Sequence, residues 1–424
     1  MKKKILLILT LVLVVLVLVF NFAACNEDDA NNNNESNSQI SNDIDKGDNS
    51  VGDSSDIKDD NEITDNIKET DSSFFDFVKY DDGYAVKKYK GQDTKVIIPS
   101  NYNNKKVLAI NENAFYCEDI LSVVLPDNIV LIGESSFYGC NKLTEIVIPN
   151  SVLNIEDAAF YGCENLTKAV IGNGVESIGA VAFCYCENLT SVTIGLNVKY
   201  IGQGAFCYCY ELNKVDYKGN IDQWVQIDFR YTGYNNCTSN PLCYAGNLYL
   251  NGELLTKANI ENATKINAYA FTSCVSLTEV KIPNSVTAIE EFTFYGCINL
   301  ANIEISDSIN SIGDFAFNNC KSLFEISIPN SIESIGNFAF CNCVGLSEII
   351  IPKNVKNIGN NTFFGCKNLI KVMIPDSVTS IGYLAFSYID NLKIYCESAM
   401  QPSGWSESWK DSTIPVFWGC DLED

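Results

Sequence analysis

The chain has 424 residues and 46% apolar content, enough to bury a sizeable core, and carries a formal charge of -24. That acidity, with no basic cluster, argues against nucleic acid as a partner, because phosphate binding needs clustered Lys and Arg to release counterions. The chain has no histidine, which removes Ser-His-Asp and Cys-His catalysis, imidazole acid-base steps and His-based metal motifs.

Met1-Lys2-Lys3-Lys4 and the apolar run Ile5 to Phe20 read as a positive n-region and an h-region, and Phe22-Ala23-Ala24-Cys25 follows. These residues resemble a bacterial lipoprotein signal and lipobox. The resemblance implies removal of residues 1-24 and lipidation of Cys25, which would anchor the chain to the membrane through acyl chains. The alternative is an uncleaved span over Ile5 to Phe22; either way the remainder lies outside the cytoplasmic membrane. Residues 25-73 are rich in Asn, Asp and Ser, and 26-73 hold 15 acidic residues against three lysines. With no aromatic residue and no apolar periodicity, they read as a disordered acidic tether. Fully extended at ~3.3 Å per residue, it would reach about 160 Å.

From Phe74 the composition turns aromatic and β-branched. Phe77 to Tyr80, a turn at Asp82-Gly83, and Tyr84 to Tyr89 predict a hairpin, followed by a strand at Thr94 to Pro99. Residues 74-114 therefore read as an N-terminal cap. Phenylalanine then recurs at Phe115, Phe137, Phe160, Phe183 and Phe206, and again at Phe271, Phe294, Phe317, Phe340, Phe363 and Phe386. The step is 23 residues except for one of 22 and one gap of 65. Such a period marks a stacked-repeat solenoid of about eleven coils, with repeats at 115-212 and 265-392.

In each coil, Leu143-x-x-Ile146-x-Ile148 alternates as a strand does, and Pro149 stops it. Val152-x-x-Ile155 predicts a second short extended side. The glycines that follow (Gly133, Gly179, Gly202, Gly313, Gly336, Gly359, Gly382) read as corners needing positive φ. Ala-Phe-x-x-Cys then closes the coil as a turn or a single helical turn. The pattern matches L-x-x-L-x-L-x-x-N/C with Ser in the asparagine place, so the fold class is a mainly β leucine-rich repeat solenoid.

The run I-P-x-S-V-x-x-I-G-x-x-A-F-x-x-C-x-x-L, repeated from about 94 to 395, resembles the BspA-like leucine-rich repeats of bacterial and some protist surface proteins. The resemblance implies a curved right-handed solenoid at the cell surface, and adhesion to host or microbial macromolecules.

Residues 213-264 interrupt this register. A short helix is expected after Asn220, and a hairpin at Tyr249 to Leu254 with an Asn251-Gly252 turn. The segment reads as a loop carrying specificity or as a structural splice. Residues 393-424, with Trp405, Trp409 and Trp418, read as an aromatic C-terminal cap; a carbohydrate-stacking platform is the alternative.

Of 18 cysteines, ten fall at the coil corner: Cys117, Cys140, Cys163, Cys186, Cys209, Cys274, Cys297, Cys320, Cys343 and Cys366. They are expected as a ladder of buried thiols acting as small hydrophobes, a usage that suits an anaerobic environment. Cys184, Cys207 and Cys341 form C-x-C pairs with the ladder, and the first two could bring four thiols together for a metal or a disulfide. Cys237-Cys243 and Cys396-Cys420 are candidate disulfides. Glu145, Glu279, Glu304, Glu325 and Glu348 occupy outward strand positions, as a solvated face or a site for Ca²⁺ or a basic protein. The residues identify no catalytic site, no cofactor, no metal ligand and no particular ligand-binding residue. The expected function is surface binding by a lipid-anchored protein whose partner is a host or microbial macromolecule; the alternatives are a glycan-binding or carbohydrate-active protein and a passive envelope component.

Overall fold

The computed structural model describes residues 68-230 and 239-421. The signal segment, Cys25 and most of the tether lie outside them. The described chain is a β-solenoid of about 14 turns with almost no helix, more turns than the eleven phenylalanines count, because the caps and the 213-264 stretch also build coils.

Two sides of each coil are extended. The longer strands, such as Glu145–Ile148, Lys168–Ile171 and Ser191–Ile194, pair in parallel and in register, Ile146 beside Ala169 beside Val192. They belong to an eight-stranded sheet running from Lys95–Ile97 to Glu253–Leu254. A three-stranded sheet (Lys257–Asn259, Glu279–Lys281, Asn302–Glu304) and a four-stranded one (Glu348–Ile350, Lys371–Ile374, Lys393–Cys396, Val416–Trp418) follow. The shorter side carries two-residue strands such as Asn154–Ile155 and Ser177–Ile178. Alternation places Leu143, Ile146, Ile148, Val152 and Ile155 inside, each almost fully buried.

The third side is the turn around each phenylalanine, and it is not helical. At all eleven phenylalanines the residues two before and two after have positive φ, as in Ser135 (51°) and Gly139 (66°) around Phe137. Three backbone N–H groups per turn donate to the next coil: Ser135 to Asp157, Phe137 to Ala159, Gly139 to Tyr161. The corner is thus a third hydrogen-bonded ladder, satisfying groups that a loop would leave to water. Gly133, Gly179, Gly202, Gly313, Gly336, Gly359 and Gly382 do not take the positive φ expected of them. They are needed for space instead: a Cβ on Gly179 would lie 2.5 Å from the backbone of Glu156 and Asp157 in the preceding coil.

The phenylalanines stack face to face along the axis, Phe137 on Phe160 at 5.1 Å and Phe160 on Phe183 at 5.0 Å between centroids. Tyr89 covers the first ring, 5.4 Å from Phe115. Trp409 covers the last edge-on, 5.8 Å from Phe386. Ahead of the first coil, Phe75–Tyr80 and Gly83–Tyr89 form the expected hairpin. Thr70 brackets the first long strand, its N–H donating to the Ile97 carbonyl and its Oγ1 accepting from the Ile97 N–H.

The described residues of 213-264 continue the solenoid. Lys214–Tyr217 pairs in parallel with Ser191–Ile194 and with Leu248–Leu250. A one-turn helix, Ile221–Trp224, starts at Asn220 in a reciprocal capping box with Gln223. Its Trp224 is fully buried and donates Nε1–H to the Ala270 carbonyl at 2.8 Å. Asp222 Oδ1 accepts the backbone N–H groups of Glu261, Asn262 and Ala263. Partial burial pushes this carboxyl upward, and those donors more than reverse it, so it stays below the usual range. Asn251-Gly252 makes the expected hairpin turn, with both residues at positive φ.

Candidate binding surface

A coil's inward positions are spent on the core, so chemistry available to a partner sits on the outward positions of the long strands. They form two rows. One is polar: Ser122 and Lys168 flank Glu145, and Ser191 and Lys214 follow. The other is apolar: Val124, Val147 and Val170 near one end, Ile350, Met373, Tyr395 and Phe417 near the other. Val147 and Ile350 are 60% and 63% exposed. Such exposed apolar rows mark contact surfaces when they are contiguous. The ion pairs among the outward residues, Lys257 to Glu279 at 2.7 Å and Lys281 to Glu304 at 3.1 Å, are solvent-exposed and each contributes at most about 1 kcal/mol.

Of the five outward glutamates, Glu145 stands apart on the first sheet. Glu279, Glu304, Glu325 and Glu348 line one open groove of about 800 Å³, together with Ile303, Ile326 and Ile350. Among the described residues no group of carboxylates, thiols or histidines is placed to hold a metal ion.

The cysteines depart from expectation in three ways. Cys117 is exposed and at positive φ, out of the core ladder: the 22-residue step drops one residue after Phe115 and puts this cysteine where Gly139 and Gly162 stand in the next coils. The other nine corner cysteines are buried free thiols. Most of them have a structural role that apolarity does not describe, Sγ donating to the carbonyl of the phenylalanine one coil back, as Cys163 does to Phe137 at 3.2 Å and Cys320 to Phe294 at 3.2 Å. Second, Cys184 and Cys341 are free thiols, but Cys207 is disulfide-bonded. Third, the two candidate bridges fail. Cys243 is a thiol and not half of a pair with Cys237, which itself lies outside the described residues. Cys396 faces the core and Cys420 turns to the Phe417 carbonyl, both free, although their backbones are hydrogen-bonded.

Two of the three cap tryptophans are unavailable to a carbohydrate platform, while Trp418 is partly exposed. Trp405 and Trp409 are 4% and 2% exposed, Trp405 donating Nε1–H to the Val378 carbonyl at 3.0 Å and bridging Ile381. An aromatic ribbon that sequence reasoning missed, Tyr116, Tyr138, Tyr161, Tyr185 and Tyr208, runs along one corner with centroids 4.4 to 5.4 Å apart. Its signal was a tyrosine one or two residues after successive phenylalanines. The rings cover one another's faces and offer a sugar little more than their edges.

The fold and this surface define a leucine-rich repeat solenoid. The family model for the BspA type leucine rich repeat region matches in six copies over residues 108–237 and 264–393, and the chain belongs to that family. No curated protein matches the sequence. Among solved structures, the chain is similar to a leucine rich cell surface protein of Faecalibacterium prausnitzii A2-165, at 24% identity over 82% of this chain and 94% of that one, with a TM-score of 0.47. A leucine-rich repeat protein of Bacteroides ovatus ATCC 8483 is 23% identical over 81% and 97%, TM-score 0.40. The pneumococcal vaccine antigen PcpA is 19% identical over 81% and 96%, TM-score 0.46. Among the described residues no helix is long and apolar enough to cross a membrane.

Proposed function

We propose that the chain is a lipid-anchored, surface-displayed binding protein without catalysis, which captures a host or microbial protein on its long-strand face. The observation that carries this reading is the outward apolar row with its two stretches through Val147 and Ile350, on strands whose inward residues already complete the core. Membership of a repeat family supports binding over chemistry, because stacked repeats present an extended surface and no enclosed site. The n-region, the apolar run and Phe22-Ala23-Ala24-Cys25 support anchoring at Cys25, and the acidic stretch after it would hold the solenoid away from the membrane. Burial of Trp405 and Trp409 and coverage of the tyrosine faces favour a protein partner over a glycan.

Two experiments test this. Cells fed an alkyne-tagged fatty acid should label the chain, and Cys25→Ala should abolish the label; an unlabelled wild type refutes lipid anchoring. The purified chain, applied to immobilised matrix proteins, mucins, bacterial surface proteins and polysaccharides, should be retained on a protein partner. Retention on polysaccharide alone refutes the reading.

A further inference from the structure

Along the long-strand side each coil donates a backbone N–H to the coil before it: Thr167 to Thr144, Thr190 to Thr167, Ala301 to Thr278, Ser347 to Phe324, Ile370 to Ser347. The rung from Phe324 to Ala301 is missing. No backbone N–H of residues 324–328 donates to another backbone group, and no carbonyl of 325–328 accepts from one. The sheet accordingly stops at Asn302–Glu304 and resumes at Glu348–Ile350.

The opening is one-sided. On the short side Ala288–Ile289, Ser311–Ile312, Ser334–Ile335 and Asn357–Ile358 pair without interruption. The rings of Phe294, Phe317 and Phe340 stay 5.3 and 5.2 Å apart. Phe324 is the local departure in sequence: it is half exposed where other coils place Thr144, Thr167, Thr190 or Thr278, whose hydroxyls reinforce the rung. Leu121 and Ile370 lack the hydroxyl yet keep the rung, so the bulk of the aromatic ring is the distinguishing property.

Two consequences meet in this opening. Ile303, Ile305 and Ile326, at positions that the neighbouring coils bury completely, are only partly covered. The lining carries Glu279, Glu304, Glu325 and Glu348 and no Lys or Arg, and Glu325 and Glu348 form no ion pair among the described residues. An exposed strand edge and apolar seats at alternate positions are what recognition by strand addition uses, and the negative rim selects a basic occupant.

We propose that this opening docks an extended basic segment of a partner protein, which adds a strand beside residues 324–328, seats apolar side chains on Ile303 and Ile326, and sets lysines or arginines against Glu325 and Glu348. The proposal rests on the long-strand face being the binding surface and names the chemistry of one occupant. The chain's own residues 26-73, with 15 acids against three lysines, carry the same sign of charge as this rim, so the complementary occupant is a basic partner.

A fluorescent peptide alternating lysine with isoleucine, titrated into the full chain by anisotropy, tests it. Binding should saturate at one peptide per chain and protect the amides of 324–328 from hydrogen exchange. The double variant Glu325→Lys/Glu348→Lys, both exposed positions, should weaken binding by roughly tenfold or more. A peptide of equal charge with prolines replacing the isoleucines should lose binding to the same degree, since it lacks every second N–H donor, the extended ladder geometry and the apolar side chains. Equal binding of the proline peptide, or protection absent from 324–328, overturns strand addition; an unaffected double variant overturns the acidic rim. If the double variant loses the peptide but keeps a captured macromolecule, the strand site is separate from that capture and the proposal for the opening stands. If wild type binds a macromolecule and never the peptide, the opening is refuted and the broader function is not.

Discussion

Phe160→Ala is the sharpest test of how the solenoid is held together. The ring is fully buried and stacked on Phe137 at 5.1 Å and on Phe183 at 5.0 Å. Truncation should cost about 3–5 kcal/mol through lost transfer energy and the cavity left behind. About 0.5–1.5 kcal/mol of that belongs to each stacked pair. In a one-dimensional stack this energy is shared only with nearest neighbours. Phe137→Ala/Phe160→Ala should therefore cost less than the sum of its single variants by about 0.5–1.5 kcal/mol. Phe137→Ala/Phe206→Ala, with two rings between, should be additive within about 0.5 kcal/mol. Urea denaturation followed by circular dichroism, with hydrogen exchange locating any partial unfolding, measures both. Equal additivity in the two cycles would refute the stacking argument.

Val181 holds φ +48° at a place where Asn113 and Asn361 stand in other coils, and a β-branched residue is strained there. Val181→Asn should raise stability by about 1 kcal/mol; a loss contradicts the strain. Burial pushes the Cys140 thiol from 9.0 up to about 12 and Cys184 to about 11. The fold keeps these thiols protonated while the unfolded chain ionises, so their contribution to stability is level below pH 9.0 and falls as pH rises from there toward about 12. Urea midpoints should drop across that range, and by less in Cys140→Ala; equal drops contradict a Cys140 contribution. Trp405→Ala should cost about 3–5 kcal/mol as a core truncation and leave retention on polysaccharide columns unchanged; a selective loss of sugar retention would restore the platform.

Features legible in the sequence were those that a single coil dictates. The phenylalanine period set the stack, Leu143-x-x-Ile146-x-Ile148 the long strand, Asn251-Gly252 its hairpin and Asn220 its helix cap. Features that depend on the coil next door were not legible. Gly179 looks like any corner glycine until the backbone of Glu156 is seen against it. Cys163 reads as a hydrophobe until its sulfur is placed against a carbonyl one coil back. Cys117 belongs to the motif in a 23-residue alignment and leaves it once the 22-residue step removes a residue. The groove is less legible still. Glu279, Glu325 and Glu348 share a strand position and Glu304 lies two residues further along its strand, beside Lys281, but only a missing backbone rung opens the sheet between them.

The central claim is that binding resides in the outward positions of the long strands and that the repeat itself is scaffold. The most direct measurement is the affinity of full-length variants for the tightest protein on the binding panel. Val147→Lys and Ile350→Lys, at exposed positions, should each weaken binding by roughly tenfold, about 1.4 kcal/mol, with unfolding unchanged. Asn154→Lys and Asn357→Lys, exposed on the opposite side, should leave it unaltered; the reverse pattern would contradict the account.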